Sequence, residues 1–247
     1  MYGQFLKGKK AVTFDMDGTL VDDHFLWQWV LREVCENLGF EYPNFSGFLG
    51  VSNEDKWVYI LDREGASRAH SPKDLAEETN KKFLEAFPKA GIDVREGFWQ
   101  FAHYLKVDKG MKLALVSSSP RKVVDTVLEH LGISKTFDFV IGGDEASKKK
   151  PDPEIYKKAI KALGVKPSEV LSFEDSPAGA KAAAAAGCDL IIVWNGDAPE
   201  TDYPVDNFRF VGDFEGLVGN MDVSSKDWVK QKVKEIEAAK KSEGPPA

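Results

Sequence analysis

A hydrophobic run, Ala11-Val12-Thr13-Phe14, ends abruptly in two carboxylates one residue apart, Asp15 and Asp17, followed by Gly18, Thr19 and Leu20. Carboxylates after a strand can serve as helix caps, but two this close repel each other unless a cation or a shared proton offsets them. With a divalent cation such as Mg2+, the pair can divide its work. One carboxylate attacks a phosphate dianion whose charge the cation offsets, and the other gives a proton to the leaving oxygen. Gly18 suits a tight turn at this point.

Three later segments place complementary groups after apolar runs. Leu115-Val116 leads into Ser117-Ser118-Ser119-Pro120, where hydroxyls and a helix N-terminus can hold phosphate oxygens, with ordinary capping as the competing reading. Lys148, Lys149 and Lys150 precede Pro151. The first two read as solvated charges. Lys150, restricted by the following proline just before a helix, can aim its ammonium across the sheet end as a fixed counter-charge. Finally, Phe173 is followed by Glu174 and Asp175, adjacent carboxylates of the kind a hard cation needs. A capping role for Asp175 is the alternative, although Ser176-Pro177 already supplies one.

These residues need a scaffold that brings several strand ends together. Five short, β-branched runs read as buried parallel strands: Lys10 to Phe14, Lys112 to Val116, Asp138 to Gly142, Glu169 to Phe173 and Asp189 to Val193. Ser119-Pro120, Asp152-Pro153 and Ser176-Pro177 each read as an N-cap followed by proline at the first helical position. The alternation predicts an α/β fold, a Rossmann-like parallel sheet with helices on both faces. From about Leu20 to Arg95 the rhythm breaks into helical stripes. One is Leu75, Thr79, Phe83 and Phe87; another is Phe25, Leu26, Trp29, Val30 and Val34, stopping near Gly39. After Gly91 and Gly97, Phe98, Phe101, Ala102 and Leu105 form the buried stripe of a returning helix. The expected organisation is an α/β core over residues 1–20 and 96–222, a helical cap over 21–95, and a C-terminal helix and tail over 223–247. An insertion after the first strand hangs over that strand's C-terminal end, where open α/β sheets bind ligands.

Composition narrows the partners. The 247 residues carry 33 Lys and Arg against 40 Asp and Glu, a net charge of -7 that gives no long-range attraction to nucleic acid or anionic membranes. No run approaches a membrane span, and the opening MYGQFLKGKK lacks an apolar block with a cleavage site. A cytoplasmic protein, monomeric or weakly dimeric, is expected. Cys35 and Cys188 read as small core residues, and His24, His70, His103 and His130 are too far apart in sequence to suggest a zinc site.

The order Asp-x-Asp, Ser, Lys, Glu-Asp resembles the haloacid dehalogenase superfamily, in particular its capped phosphatases and the phosphoglycolate phosphatase-like and β-phosphoglucomutase-like enzymes. The resemblance extends to about residue 222. It implies that Asp15 forms an aspartyl-phosphate, Asp17 is the general acid and base, and Thr19 supports the loop and the phosphate site. Ser117 and Ser118 would bind phosphate, with Lys150 neutralising the nucleophile and phosphoryl group. Mg2+ would be held by Asp15, the backbone carbonyl of Asp17, Asp175, and Glu174 directly or through water. The dehalogenases themselves lack a second Asp, so Asp17 points to phosphoryl transfer from a small phosphorylated metabolite. Related mutases place a Thr and a His where Asp23 and Trp27 stand here, which favours water as acceptor over a sugar hydroxyl. A sugar phosphomutase is the alternative within the superfamily; a catalytically silent binding or scaffold protein is the alternative outside it. Trp27, Trp57, Tyr59, Arg63, Arg68 and His24 are candidates for the cap entrance.

Overall fold

The computed structural model describes residues 5–43, 48–194, 198–204, 210–215 and 217. Its sheet has six strands: β1 (Ala11–Phe14), β2 (Lys112–Val116), β3 (Phe139–Ile141), β4 (Val170–Glu174), β5 (Asp189–Val193) and the short β6 (Phe210–Val211). All neighbours are parallel, in the order β3-β2-β1-β4-β5-β6. The chain therefore builds outward from β1 on one side, then crosses back to start β4 on the other. Such a reversal opens a crevice at the C-terminal ends of β1 and β4. The sixth strand was not expected from sequence: two residues at an edge carry too little pattern to read.

Strand alternation divides the core in two. Val12 and Phe14, with Leu113, Leu115, Leu171 and Phe173, face one side. There Phe14 stacks on Phe173 at 5.2 Å and meets Phe98 edge-on at 5.7 Å. That face is covered by α4 (Phe98–His103), which continues into a π turn, and by α5 (Arg121–His130). Ala11, Ala114, Val116, Val170, Leu190 and Ile192 face the other side, against α6 (Glu154–Leu163) and α7 (Pro177–Ala185). Small residues at Ala180, Ala182 and Ala183 let α7 approach closely. Cys188 lies in this cluster, and burial pushes its thiol up to about 11.

Between β1 and α4 lie α1 (His24–Asn37), α2 (Asn53–Arg63) and α3 (Pro72–Ala86). They bury an apolar cluster of their own, including Leu31, Val34, Cys35, Trp57, Ile60, Leu61 and Leu75. The two ends of this insertion meet: Val21 bridges Val94, and the Arg95 amide donates to the Leu20 carbonyl at 2.9 Å. No helix among the described residues is long and apolar enough to cross a membrane.

Several local expectations need correction. Phe25 and Trp29 are 56% and 55% exposed; the buried stripe of α1 is Leu26, Trp27, Val30, Leu31, Val34 and Cys35. Aromatic residues on both sides of α1 made its inward face ambiguous from spacing alone. Of the three Pro-led helix starts, only Ser176 caps as expected, accepting from the Gly179 amide with Pro177 in the first turn. Helix α5 begins after Pro120 and α6 after Pro153, without the expected side-chain caps. Asp152 accepts instead from the Glu154 amide at 2.9 Å, and Ser119 is drawn elsewhere, as described below. The predicted C-terminal helix lies outside the described residues.

Candidate active site

The register of β1 against β4 does most of the assembly. Phe14 pairs with Phe173, and the Asp15 amide donates to the Phe173 carbonyl at 3.0 Å, so Asp15 stands beside Glu174. Alternation puts Thr13 and Ser172 on one face, their hydroxyls 2.7 Å apart, and Asp15 and Glu174 continue that face beyond them. One carboxylate oxygen from each of Asp15, Glu174 and Asp175 lies within 4.8 Å of the others, and all three residues are buried. This all-oxygen, anionic donor set fits a hard divalent cation.

Lys150 reaches into the same place. Its ammonium lies 2.7 Å from Asp15 Oδ1, 2.7 Å from Glu174 Oε1 and 3.0 Å from the Val116 carbonyl. The Lys150-Pro151 peptide is cis. Burial acts to lower the lysine's pKa, but Asp15 and Glu174 outweigh it and hold the ammonium above its ordinary value. Burial also pushes Asp15 well above the usual carboxylate range, with Lys150 opposing it and Glu174, Asp175 and Asp17 adding to it. The site is thus rich in mutually repelling negative charge, which a cation would relieve.

Asp17 lines the same cavity as Asp15 but is not part of the three-carboxylate cluster. Its Oδ1 accepts from Trp27 Nε1 at 2.8 Å; its Oδ2 accepts from Ser119 Oγ at 2.8 Å and Ser117 Oγ at 3.2 Å. Ser117 and Ser119 therefore serve Asp17 in this arrangement. Ser118 donates to the Gly50 carbonyl at 3.0 Å, joining the sheet end to the insertion. Thr19 donates to Asp175 Oδ1 at 3.0 Å, the Asp175 carbonyl accepts from Tyr203, and His24 Nε2 lies 3.3 Å from Asp175 Oδ2. Gly18 has φ +79°, and a Cβ there would overlap both Asp175 and His24.

Sequence reasoning missed Tyr156 and Lys56, and it read Ser119 as a cap or phosphate-holding hydroxyl without seeing its bond to Asp17. Tyr156 donates to Glu174 Oε1 from the first turn of α6. Asp23 is fully buried; burial first, then nearby Asp17, pushes its carboxyl well above the usual range. Asp23 and Trp27 were noted only as departures from a mutase pattern, and nothing in their spacing showed that both approach Asp17. Lys149, read as solvated, bridges to Glu54 at 3.0 Å and Asp55 at 3.2 Å on α2. Of the six entrance candidates, His24 and Trp27 line the cavity above Asp15 and Asp17. Trp57 is instead a core residue donating to Thr79 at 2.9 Å, while Arg63 pairs with Glu64 at 2.9 Å. The cavity measures about 230 Å³ and lies between the sheet end and the insertion.

Gly179 shows how tightly this site is supported. A Cβ there would overlap the Glu174 carboxylate. Gly179→Ala should destabilise the fold by roughly 1–3 kcal/mol, even though alanine is the better helix former by about 1 kcal/mol. Denaturant unfolding checks this; unchanged or increased stability would contradict the packing described.

Residues 12–193 match the haloacid dehalogenase-like hydrolase family. The chain is 33% identical over 185 residues to a phosphorylated carbohydrates phosphatase of Thermotoga maritima, covering 74% of this chain and 83% of that protein. It is 28% identical over 187 residues to a phosphoglycolate phosphatase of Aquifex aeolicus, covering 72% and 81%. A solved structure of β-phosphoglucomutase from Clostridium difficile superposes with a TM-score of 0.73 at 22% identity, over 93% of this chain and 99% of that one, a likeness of fold.

Proposed function

Since the chain belongs to the haloacid dehalogenase-like hydrolase family and is a phosphatase of small phosphorylated compounds, we propose that it hydrolyses phosphate monoesters with Mg2+ through a phosphorylated Asp15. The observation that carries this reading is the convergence of Asp15, Glu174 and Asp175, with the Lys150 ammonium 2.7 Å from Asp15. We take residues 21–95 as the cap and 1–20 with 96–222 as the core, matching the point where the insertion's two ends meet.

Asp15, Asp175 and Glu174 would hold the ion, with the Asp17 backbone carbonyl as the further ligand that the family resemblance implies. Bound there, Mg2+ supplies positive charge that offsets the carboxylates and the ester's phosphate. The Asp15 carboxylate attacks phosphorus, the ester P–O bond breaks, and Asp17 protonates the departing oxygen. Asp17 then takes a proton from the water that attacks the acyl-phosphate, releasing phosphate and restoring Asp15. Trp27, Ser117 and Ser119 orient Asp17 for both transfers. Lys150 offsets charge on Asp15 as it attacks, and Ser118 and Thr19 complete the phosphate side. Closure of the cap excludes bulk water during the first step.

Asp17→Asn keeps the shape but loses the proton relay, so turnover should fall by about 100-fold or more. The loss should be smaller for nitrophenyl phosphate, whose leaving group needs little protonation, than for a sugar phosphate. Equal losses for both would count against the role given to Asp17. The reading as a whole is tested by phosphate release across small metabolite esters with Mg2+ and with chelator. Release that requires Mg2+ is expected, and release unaffected by chelation would overturn it.

A further inference from the structure

Lys56 is a cation for which the mechanism above has no task. It lies on α2 and lines the same cavity as Asp15, Asp17 and Ser118. Trp57, Ile60 and Leu61 are buried against α1 and α3, which fixes the rotation of α2 and leaves Lys56 at the cavity wall. The helix is also tied to the sheet end, through Lys149 to Glu54 and Asp55 and through Ser118 to the Gly50 carbonyl.

The neighbouring lysines are spoken for. Lys150 contacts Asp15 and Glu174, and Lys149 contacts Glu54 and Asp55. The Lys56 ammonium has no hydrogen-bond or ion-pair partner among the described residues, although its backbone amide donates to the Ser52 carbonyl at 3.0 Å. Burial lowers its pKa, with the charges of Asp17 and Asp23 opposing that effect from a distance. Asp17 already accepts from Trp27, Ser117 and Ser119. Asp23 accepts from the Gly18 amide at 3.2 Å through Oδ1, and its buried Oδ2 has no partner among the described residues, yet the Lys56 ammonium makes no ion pair with it. A partly desolvated ammonium lacking a protein partner is best satisfied by an anion that arrives with the ligand.

We propose that Lys56 selects esters whose leaving group carries a second negative group, a carboxylate or a second phosphate, over esters of neutral alcohols. This rests on the phosphatase reading and deepens it, because Lys56 sits on the cap side of Asp17, where the departing alcohol would lie. Gln28, Ser52 and Asn53, which also line the cavity, could hydrogen-bond the rest of such a group.

The test compares kcat/KM for phosphoglycolate, a hexose bisphosphate and glycerol 3-phosphate, in the wild type, Lys56→Met and Lys56→Arg, with Mg2+ present and folding checked by circular dichroism. The wild type should prefer at least one anionic ester to glycerol 3-phosphate. Lys56→Met should reduce that preference about 10- to 100-fold, chiefly through KM, the size expected for one lost hydrogen bond to a charged group. Lys56→Arg should restore most of it. Which anionic ester loses more tells carboxylate from phosphate. An unchanged preference in Lys56→Met, or equal losses for all three esters, would overturn the assignment and leave Lys56 as a counter-charge for Asp17. A wild type inert toward every ester would instead overturn the phosphatase reading, and this inference with it.

Discussion

Asp15→Asn is expected to lower phosphate release by at least ~1000-fold, because the amide cannot accept the phosphoryl group as the carboxylate does. The substitution is nearly isosteric, and the residue sits at the end of β1 with its amide bound to the Phe173 carbonyl, so the backbone has no reason to move. Asparagine also removes a buried carboxylate whose ionisation is made costly by burial and by the neighbouring charges of Glu174 and Asp175. The folded protein should therefore keep its melting temperature or gain slightly while losing activity. Both readouts are needed: a variant that is inactive because it is unfolded says nothing about the nucleophile. A well-folded Asp15→Asn protein with wild-type turnover would remove Asp15 from the chemistry.

Lys150→Met should have the largest effect on stability. Lys150 is buried with Asp15 and Glu174 each at 2.7 Å, and no other lysine or arginine makes an ion pair with either carboxylate among the described residues. Removing one member of a buried pair leaves the others uncompensated, a loss of roughly 3–5 kcal/mol. Turnover should also fall, by about 100- to 1000-fold, as charge on the attacking carboxylate and the phosphoryl group loses its fixed counter-charge. Because the unrelieved repulsion is among the same carboxylates that would hold Mg2+, added Mg2+ should raise the melting temperature of Lys150→Met more than that of the wild type. Thermal unfolding with and without the ion checks both statements. A variant as stable as the wild type, or one indifferent to Mg2+, would contradict this description of the site's electrostatics.

The parts of the molecule legible in its sequence are those set by one-dimensional pattern. Strands β2 and β5 match their expected bounds, and β1, β3 and β4 shift by a residue at one or both ends, because short apolar runs between turn residues define strands well. Asp15, Lys150, Glu174 and Asp175 could be singled out because each lies just after a strand or just before a helix, and a parallel sheet gathers such positions. What the sequence could not carry was rotation and long-range partnering. The α1 face was misjudged because Phe25 and Trp29 compete with Trp27 and Leu31 for the inward side, and only contact with α3 decides between them; Trp27 stacks on Phe83 at 3.7 Å. Ser119 has the residue type and position of an N-cap, yet its hydroxyl goes to Asp17, 102 residues away in sequence. Lys56 looks like any surface lysine until the burial of Trp57 fixes how α2 is turned.

The central claim is that this carboxylate cluster takes a phosphoryl group from an ester onto one particular side chain. The most direct test is rapid acid quench of the wild-type protein during turnover of a small phosphate ester with Mg2+, followed by mass measurement of its peptides. The account predicts the added mass of one phosphoryl group on the peptide containing Asp15, absent when Mg2+ is chelated and absent in Asp15→Asn. Steady release of phosphate with no modified Asp15 peptide at any time point, or the group appearing on a different residue, would contradict it.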